Sequence, residues 1–157
     1  MPRRELRSPK QIEAWLEEWG QLMDASGQRG TMVLIGSGGI LWHAFQQGVD
    51  AGFDEASMDV DPVTNNESVA TLCYDAMIGS EFEMKHGWHV NVMPSSVMKE
   101  LPDDWKFRAE SKTYGGLTVV VPSVEDLLVP KRKRGEPRDQ RHEQYVVEHG
   151  LGTGEKI

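Results

Sequence analysis

The sequence predicts an α/β protein, in the α+β sense, with a short mixed β-sheet flanked by helices, and two observations support this fold class. Apolar residues recur at three- and four-residue spacing near the start of the chain, which is typical of an amphipathic helix. Short apolar runs alternate with helical patterns further on, which indicates strands joined by helices. At 157 residues we predict one domain, residues 1–157, with an N-terminal helix (8–27), a core of strands and helices (31–121) and C-terminal helices (123–150).

The N-terminal helix is the clearest predicted element. Ser8 is its predicted N-cap, Pro9 occupies the first helical position, and Gln11 completes a capping box. Gly27 is the predicted stop. The apolar stripe that should face the core consists of Ile12, Trp15, Leu16, Trp19, Leu22 and Met23.

The predicted core begins with a buried strand at residues 32–35, which a glycine turn at 36–39 interrupts. A second helix follows and ends at Gly48, and residues 49–57 form a loop. Residues 58–63 alternate apolar and acidic side chains, which predicts another strand. The later predicted elements are a helix from Asn65 or Asn66, strands at 81–84 and 88–93 around His86-Gly87, a short helix at 95–101, and a hairpin of strands 107–114 and 117–121 turned at Gly115-Gly116.

The C-terminal region carries two predicted helices separated by a basic segment. Ser123 caps the first helix, which Pro130 is expected to kink or end. Residues 131–135 form a basic connector, and residues 137–149 form the last helix, which stops at Gly150. The connector either grips a triphosphate or an RNA backbone or is a solvated loop, and the sequence favours neither interpretation.

Composition excludes several classes of protein. The formal net charge of -8 excludes a general nucleic-acid-coating protein, which is normally basic. The chain has no apolar run of about 18 residues, so we expect no membrane span. Cys73 is the only cysteine, so no internal disulfide forms, which fits a reducing compartment. With no signal-peptide pattern at the start, these features predict a cytoplasmic location by elimination.

The segment Gly36-Ser37-Gly38-Gly39 joins the first core strand to a helix. Its free backbone N–H groups and the positive end of the helix dipole suit a phosphate, although a tight turn without a ligand explains it equally well. A P-loop is excluded because no lysine follows in the turn or the helix. The dinucleotide fingerprint Gly-x-Gly-x-x-Gly is broken at Leu41, and it expects one downstream acid where this chain has two.

Those two acids are Asp59 and Asp61, which share one face of the predicted strand. Neighbouring carboxylates repel each other unless a cation or hydrogen-bond donors lie between them. Carboxylates and phosphate oxygens are the usual ligands of Mg²⁺. A solvated strand edge is the other explanation of an isolated Asp-x-Asp, but the glycine turn upstream favours a metal and phosphate site. The helix between the two strands should bring the second strand beside the first.

The order of these motifs resembles the nucleotidyltransferase superfamily built on the DNA polymerase β-like fold, and more closely the small AbiEii-like group related to AbiEii-type toxins. That pattern has a Gly-Gly turn opening a helix, an Asp-x-Asp strand, a third acid on a later strand, a serine-capped segment with a basic residue, and an Arg/Lys-Asp helix. The matching residues here are Gly38-Gly39, Asp59-Val60-Asp61, Asn91, Ser123 to Lys131, and Arg138-Asp139. The likeness extends from about Val33 to Tyr145.

The resemblance implies transfer of a nucleoside monophosphate from a nucleoside triphosphate to a hydroxyl group of an RNA, a protein or a small molecule. The implied cofactor is Mg²⁺ or Mn²⁺. The implied catalytic residues are Asp59, Asp61 and Asn91, of which Asp59 and Asp61 carry the metal. The implied nucleotide-binding residues are Gly36, Ser37, Gly38, Gly39, Lys131 and Arg138.

Two positions depart from this pattern. The third acid is replaced by Asn91, an amide that can ligate a metal but cannot act as a general base. A second acid that often follows the Arg/Lys-Asp pair is replaced by His142. Two hypotheses therefore stay open: a working transferase, and a degenerate domain that binds nucleotide or a protein partner, for example as half of a toxin–antitoxin-like pair.

Two other groups were candidates for the missing base. With a two-residue turn at His86-Gly87, Phe82 would pair with Asn91, so the glutamates at 81 and 83 would face the opposite side of the sheet. His89 lies two residues before Asn91, hence on the same strand face, and is either a base or, more simply, a packing histidine.

Overall fold

The computed structural model describes residues 8–53 and 59–151, without the side chain of Asp59. In these ranges the helices are α1 (Pro9–Ala25), α2 (Gly36–Gln46), α3 (Glu67–Asp75), α4 (Glu81–His86), α5 (Val124–Arg134) and α6 (Pro137–His149). The strands are β1 (Gly30–Ile35), β2 (Asp59–Val63), β3 (His89–Val90), β4 (Glu110–Tyr114) and β5 (Leu117–Val121). Short 3-10 helices cover Ser95–Glu100 and Trp105–Phe107.

The strands form one mixed sheet in the order β3-β2-β1-β5-β4. β1 runs parallel to β5 and antiparallel to β2, β2 runs parallel to β3, and β4 and β5 form the antiparallel hairpin. The predicted fold class, a short mixed sheet flanked by helices, is confirmed. None of the helices within the described ranges is long and apolar enough to cross a membrane.

The register of β1 and β2 brings the two main sequence motifs together. Ile35, the last residue of β1, is the Cα partner of Asp61 in β2. Gly36 follows Ile35 directly and begins α2. The predicted adjacency of the two strands is confirmed, and because the pair is antiparallel the glycine turn lies beside the acidic strand.

Helix α1 follows its sequence signals closely. The capping box at Ser8 is present, with its N–H donating to Gln11 Oε1 at 2.9 Å. The helix ends at Ala25, two residues before the predicted stop. Five residues of the predicted stripe are buried, but Leu22 is 52% exposed because it lies at the rim of the stripe, near the end of the helix.

The predicted hairpin of strands around His86-Gly87 is wrong. Residues 81–86 form helix α4, because the Ser80 hydroxyl accepts the Glu83 N–H at 3.2 Å and Gly87 ends the helix with a φ of 80°. The following strand is shorter than the predicted 88–93 and lies parallel to β2. The predicted pairing of Phe82 with Asn91 is therefore wrong as well, and the Asn91 N–H donates instead to Val60 O at 2.8 Å.

Of the two predictions for Pro130, a kink or an end of the helix, the end is wrong. Helix α5 continues through this proline to Arg134 and ends at Gly135, which has a φ of 63°. Leu127, Leu128 and Lys131 are buried on both sides of the proline. Packing therefore maintains the helix across a residue that removes one of its hydrogen bonds, and the predicted basic connector is its last turn.

A buried polar network links α1, α2 and β4 beneath this sheet. Glu13, which is 5% exposed, accepts hydrogen bonds from Tyr114 Oη at 2.7 Å, from Lys112 Nζ at 2.7 Å and from Gln46 Nε2 at 3.2 Å. Tyr114 Oη in turn accepts from Trp42 Nε1 at 2.9 Å. The carboxylate is thus buried with several donors, as a buried charge requires.

We expect Gly39→Ala to lower the free energy of unfolding by about 1–3 kcal/mol through overpacking. A Cβ at this position would lie 2.9 Å from both Leu127 Cδ1 and the backbone oxygen of Leu34, and the backbone cannot move aside cheaply. Urea unfolding measures the effect. The control is Gln47→Ala, at an exposed position, which should change the value by less than about 0.5 kcal/mol. Equal stability of the two variants would contradict the packing account.

Candidate functional site

A pocket of about 120 Å³ lies between the junction of β1 and β2 and the helices α5 and α6. Its polar lining residues are Ser37, Asp61, Glu100, Lys131, Arg134, Arg138 and His142. Its apolar lining residues are Ile35, Met93, Val97, Leu101, Leu127 and Pro130. Gly36 also lines it. The pocket therefore combines a cationic wall with an apolar wall.

Gly36 brings the start of α2 against the acidic strand. Its φ of 69° lies in the left-handed region that favours glycine, and a Cβ there would lie 3.1 Å from Asp61 Oδ2. Ser37 follows it on the pocket wall and is 8% exposed. Gly38 and Gly39 are buried against the core, where the absence of Cβ atoms leaves room for neighbouring groups. Of the four residues predicted to hold phosphate, the structure thus places the first two at the pocket.

Asp61 is the acid that faces the pocket. It is half-buried, and its Oδ1 is shielded from solvent. Asp59 is the first residue of β2 and the Cα partner of His89. It precedes Asp61 by two residues, the spacing of positions on one strand face, and its side chain is outside the described part of the structure.

These acids fit a Mg²⁺ ion that is shared with a substrate. Within the described ranges, no group of three or more His, Cys, Asp or Glu side chains is placed to hold a metal ion. Mg²⁺ is usually held by one or two carboxylates together with waters and substrate phosphates. Asp61, on the pocket wall, would be one carboxylate of such a site.

Lys131 is a buried cation on the pocket wall. Its side chain is 5% exposed, and its Nζ lies 2.9 Å from His142 Nδ1 and 3.8 Å from Asp139 Oδ1. Burial lowers the pKa of the amine to about 8, and the negative charge of Asp139 opposes this effect. The amine therefore stays largely charged at neutral pH although it is poorly hydrated.

His142 is the neutral neighbour of this lysine. Burial, reinforced by the positive charge of Lys131, lowers the pKa of the imidazole to about 3. The ring is uncharged at neutral pH, so its Nδ1 accepts the hydrogen bond of the ammonium group and its proton lies on Nε2. Phe53 stacks on the ring with centroids 4.5 Å apart. His142 thus supports the lysine without adding negative charge.

Asp139 organises the rest of the cationic wall. Its carboxylate is 1% exposed and accepts two hydrogen bonds from Arg134, one from Nε at 3.2 Å and one from Nη2 at 2.9 Å. This guanidinium holds the pKa of the carboxyl group below its ordinary value. Arg138, the neighbour of Asp139 on α6, lines the pocket as an exposed residue. The structure therefore brings the predicted residues Lys131 and Arg138 together and adds Arg134.

The remaining residues of the basic segment do not reach the pocket. Arg132 forms ion pairs with Glu125 at 3.4 Å and with Glu143 at 3.0 Å. Lys133 is exposed. Arg132 and Lys133 thus lie at the solvated surface, while Lys131 and Arg134 line the pocket.

Asn91 lies outside the pocket lining. It is exposed, and its Nδ2 donates to Met93 Sδ at 3.7 Å. Helix α4 instead brings Glu83 to the strand, where its Oε2 lies 2.7 Å from His89 Nδ1. Ser80 and Gly87 have the residue types of an N-cap and a helix stop, and these signals would have indicated helix α4 in place of a strand.

A family model described as "Nucleotidyltransferase of unknown function" (DUF6036) matches residues 11–149. The chain belongs to this family, which confirms the resemblance to nucleotidyltransferases. The matched segment includes the glycine turn, the acidic strand and both helices of the cationic wall. No curated protein and no solved structure matches the chain.

We expect the amine of Lys131 to titrate near pH 8 in the free protein, because burial disfavours its charged form. The measurement is the pH dependence of its side-chain ¹⁵Nζ resonance, assigned with Lys131→Arg, and exposed Lys133 serves as the internal reference. Asp139→Asn should lower the pKa further, since it removes a nearby negative charge. A titration of Lys131 near 10.5, the value of an ordinary lysine, would contradict its desolvation.

Proposed function

We propose that this protein binds a nucleoside triphosphate together with Mg²⁺ and transfers the nucleoside monophosphate to an acceptor hydroxyl group. The observation that carries the proposal is that Lys131, Arg134 and Arg138 line the same pocket as Asp61. Membership in a nucleotidyltransferase family supports the same chemistry. The acceptor classes compatible with it are RNA, a protein side chain and a small molecule.

The cationic wall is suited to the phosphates of the nucleotide. Lys131 supplies a charge with little competing water, so its attraction to an anion is stronger than that of a solvated lysine. Arg134 is held by Asp139 in a fixed orientation, which reduces the rotamer entropy lost when a phosphate binds. Ser37 and the backbone at Gly36 face the same space, where small residues permit close approach.

The acidic strand is suited to the metal. Asp61, with Asp59 as the second carboxylate, would hold Mg²⁺, which on binding neutralises charge on the phosphate oxygens. The chain itself contributes positioning, because transfer of a phosphoryl-type group depends mostly on alignment and charge neutralisation. The acceptor oxygen attacks the α-phosphorus, and pyrophosphate leaves towards the cationic wall.

The apolar wall is suited to the base. Met93, Val97 and Leu101 lie on the segment that follows β3, and they line the pocket together with Leu127. Side chains of this kind bury the faces of a purine or pyrimidine and exclude water, while the nearby cations stay available to the phosphates.

One observation favours a second candidate, a degenerate domain that binds nucleotide without transferring it. Asn91 replaces the third acid of the family pattern, and its exposed side chain does not line the pocket. Such a domain would bind a triphosphate through the same cationic wall. A transfer assay and a binding assay run on the same variants separate the two functions.

The transfer assay combines each α-labelled nucleoside triphosphate with Mg²⁺ and either total RNA or cell lysate. We expect Asp61→Asn to reduce labelling at least about a hundredfold, the scale of losing one electrostatic contact with a reacting group. Asp59→Ala should behave in the same way. Labelling that is equal in the wild type and both variants would reject the catalytic site, and binding without labelling would favour the degenerate domain.

The cationic wall has a matched control nearby, because Arg138 in α6 lines the pocket and Lys133 in the neighbouring helix α5 does not. We expect Arg138→Ala to weaken triphosphate binding about tenfold or more, because a hydrogen bond to a charged group contributes about 1.5–3 kcal/mol. Lys133→Ala removes a charge that lies outside the pocket and should change affinity less than about twofold. Isothermal titration calorimetry measures both values, and equal losses would mean that net charge alone attracts the ligand.

Metal binding should depend on the nucleotide, since the described residues do not form a protein-only site. We expect Mn²⁺, followed by electron paramagnetic resonance, to bind weakly to the free protein and tightly once a non-hydrolysable triphosphate is present. Asp61→Asn should abolish this nucleotide-dependent gain in Mn²⁺ affinity. Tight Mn²⁺ binding without nucleotide would contradict the shared-metal arrangement.

A further inference from the structure

Glu83 and His89 form a hydrogen-bonded pair next to the acidic strand. Glu83 Oε2 lies 2.7 Å from His89 Nδ1, and their side chains are 14% and 16% exposed. The other oxygen of this carboxylate, Oε1, accepts the Gly79 N–H at 2.9 Å. The Ser80 hydroxyl also accepts the N–H of Glu83, so the start of α4 holds both the backbone and the carboxylate in place.

The sheet places this pair at one end of the candidate site. His89 is the Cα partner of Asp59 across the parallel pairing of β2 and β3. Neighbouring strands are about 4.8 Å apart, so position 89 is nearer to Asp59 than Asp61 is at about 6.7 Å along the strand. The pocket with the cationic wall is lined by Asp61 and not by His89. A triphosphate held by that wall would therefore leave the Asp59 end of the strand, where His89 lies, to the acceptor.

The partner of Nδ1 fixes the chemistry of the imidazole. A carboxylate oxygen can only accept, so the Nδ1 of His89 carries the proton and donates it to Glu83. When the ring carries this proton alone, its Nε2 has a lone pair. Within the described ranges, no hydrogen bond engages this Nε2. A carboxylate that holds one nitrogen and leaves the other as an acceptor is the arrangement required of a general base.

We propose that His89 is the general base of the transfer reaction and that Glu83 is the residue that positions it. This inference rests on the proposed nucleotidyl transfer. In the step, the acceptor O–H bond breaks and its proton moves to His89 Nε2. The acceptor oxygen forms a bond to the α-phosphorus, and the bond from the α-phosphorus to the bridging oxygen breaks, which releases pyrophosphate. His89 thereby performs the proton transfer that the amide of Asn91 cannot perform.

The first test removes the imidazole. His89→Ala should reduce label transfer about a hundredfold or more, the usual contribution of a general base, with unchanged triphosphate affinity. Added imidazole should restore part of the rate in this variant, while it leaves the wild type and the control His149→Ala unaffected. Unchanged triphosphate affinity also shows that the variant is folded.

The second test changes the tautomer and keeps the ring. In Glu83→Gln, the amide oxygen keeps the hydrogen bond that the Gly79 N–H donates to Glu83 Oε1. The new NH₂ group then faces His89 Nδ1 as a donor. The proton should then move to Nε2, which the ¹⁵N shifts of the ring report directly, and the transfer rate should fall close to that of His89→Ala. A change of tautomer without a loss of rate would show that Glu83 only supports the fold.

The outcomes separate this inference from the proposed function. If the wild type transfers label and both substituted proteins do so at the same rate, the role of His89 is overturned and nucleotidyl transfer stands. A loss of transfer that imidazole does not rescue, with the tautomer unchanged in Glu83→Gln, also overturns it. Absence of transfer by the wild type with all four triphosphates overturns both. The role of His89 and the proposed function are both supported if the two variants lose label transfer, imidazole rescues His89→Ala, and the ring proton moves to Nε2 in Glu83→Gln.

Discussion

The register between β1 and β2 is the constraint on which the rest of the site depends. Because Ile35 is the partner of Asp61, the chain must leave β1 immediately beside an acidic side chain and turn into α2 without a clash. Gly36 satisfies both requirements, because it adopts a positive φ without strain and has no Cβ, which would lie only 3.1 Å from Asp61 Oδ2. A shift of one residue would turn Asp61 to the other face of the sheet. The buried Gly38 and Gly39 then let α2 pack closely against the core, so these glycines define the site by packing.

The same logic of burial explains the cationic wall. A pKa near 8 in place of 10.5 means that the surroundings of Lys131, burial above all, disfavour its charged amine by a net amount of about 3 kcal/mol relative to an exposed lysine. The negative charge of Asp139 already opposes burial within this net value, and the acceptor nitrogen of His142 gives the amine a hydrogen bond. A phosphate in the pocket would offset more, because it adds negative charge where water is scarce. The wall therefore favours an anion over a neutral ligand.

Local sequence signals predicted the elements whose ends are set by local interactions. The capping box at Ser8, the hairpin at Gly115-Gly116 and the stop at Gly150 are examples. Prediction was wrong where packing between distant segments decides the outcome. Pro130 is the clearest case, since buried neighbours in α5 carry the helix past it. A helix continued to Arg134 would have placed Lys131 and Arg134 three residues apart on one face, so the same error concealed an arginine of the pocket.

The second error concealed more chemistry than the first. A strand at residues 81–84 would point Glu83 away from the site. The question of a general base would then depend on Asn91 alone. Helix α4 reverses this placement, because a six-residue helix capped by Ser80 and ended by Gly87 turns the Glu83 carboxylate onto His89. An amide at Asn91 and an oriented imidazole two residues earlier are complementary, since the loss of a base at one position matters less when an acceptor nitrogen lies on the same strand. Conversion of one carboxylate to an amide is therefore insufficient ground for regarding the site as degenerate.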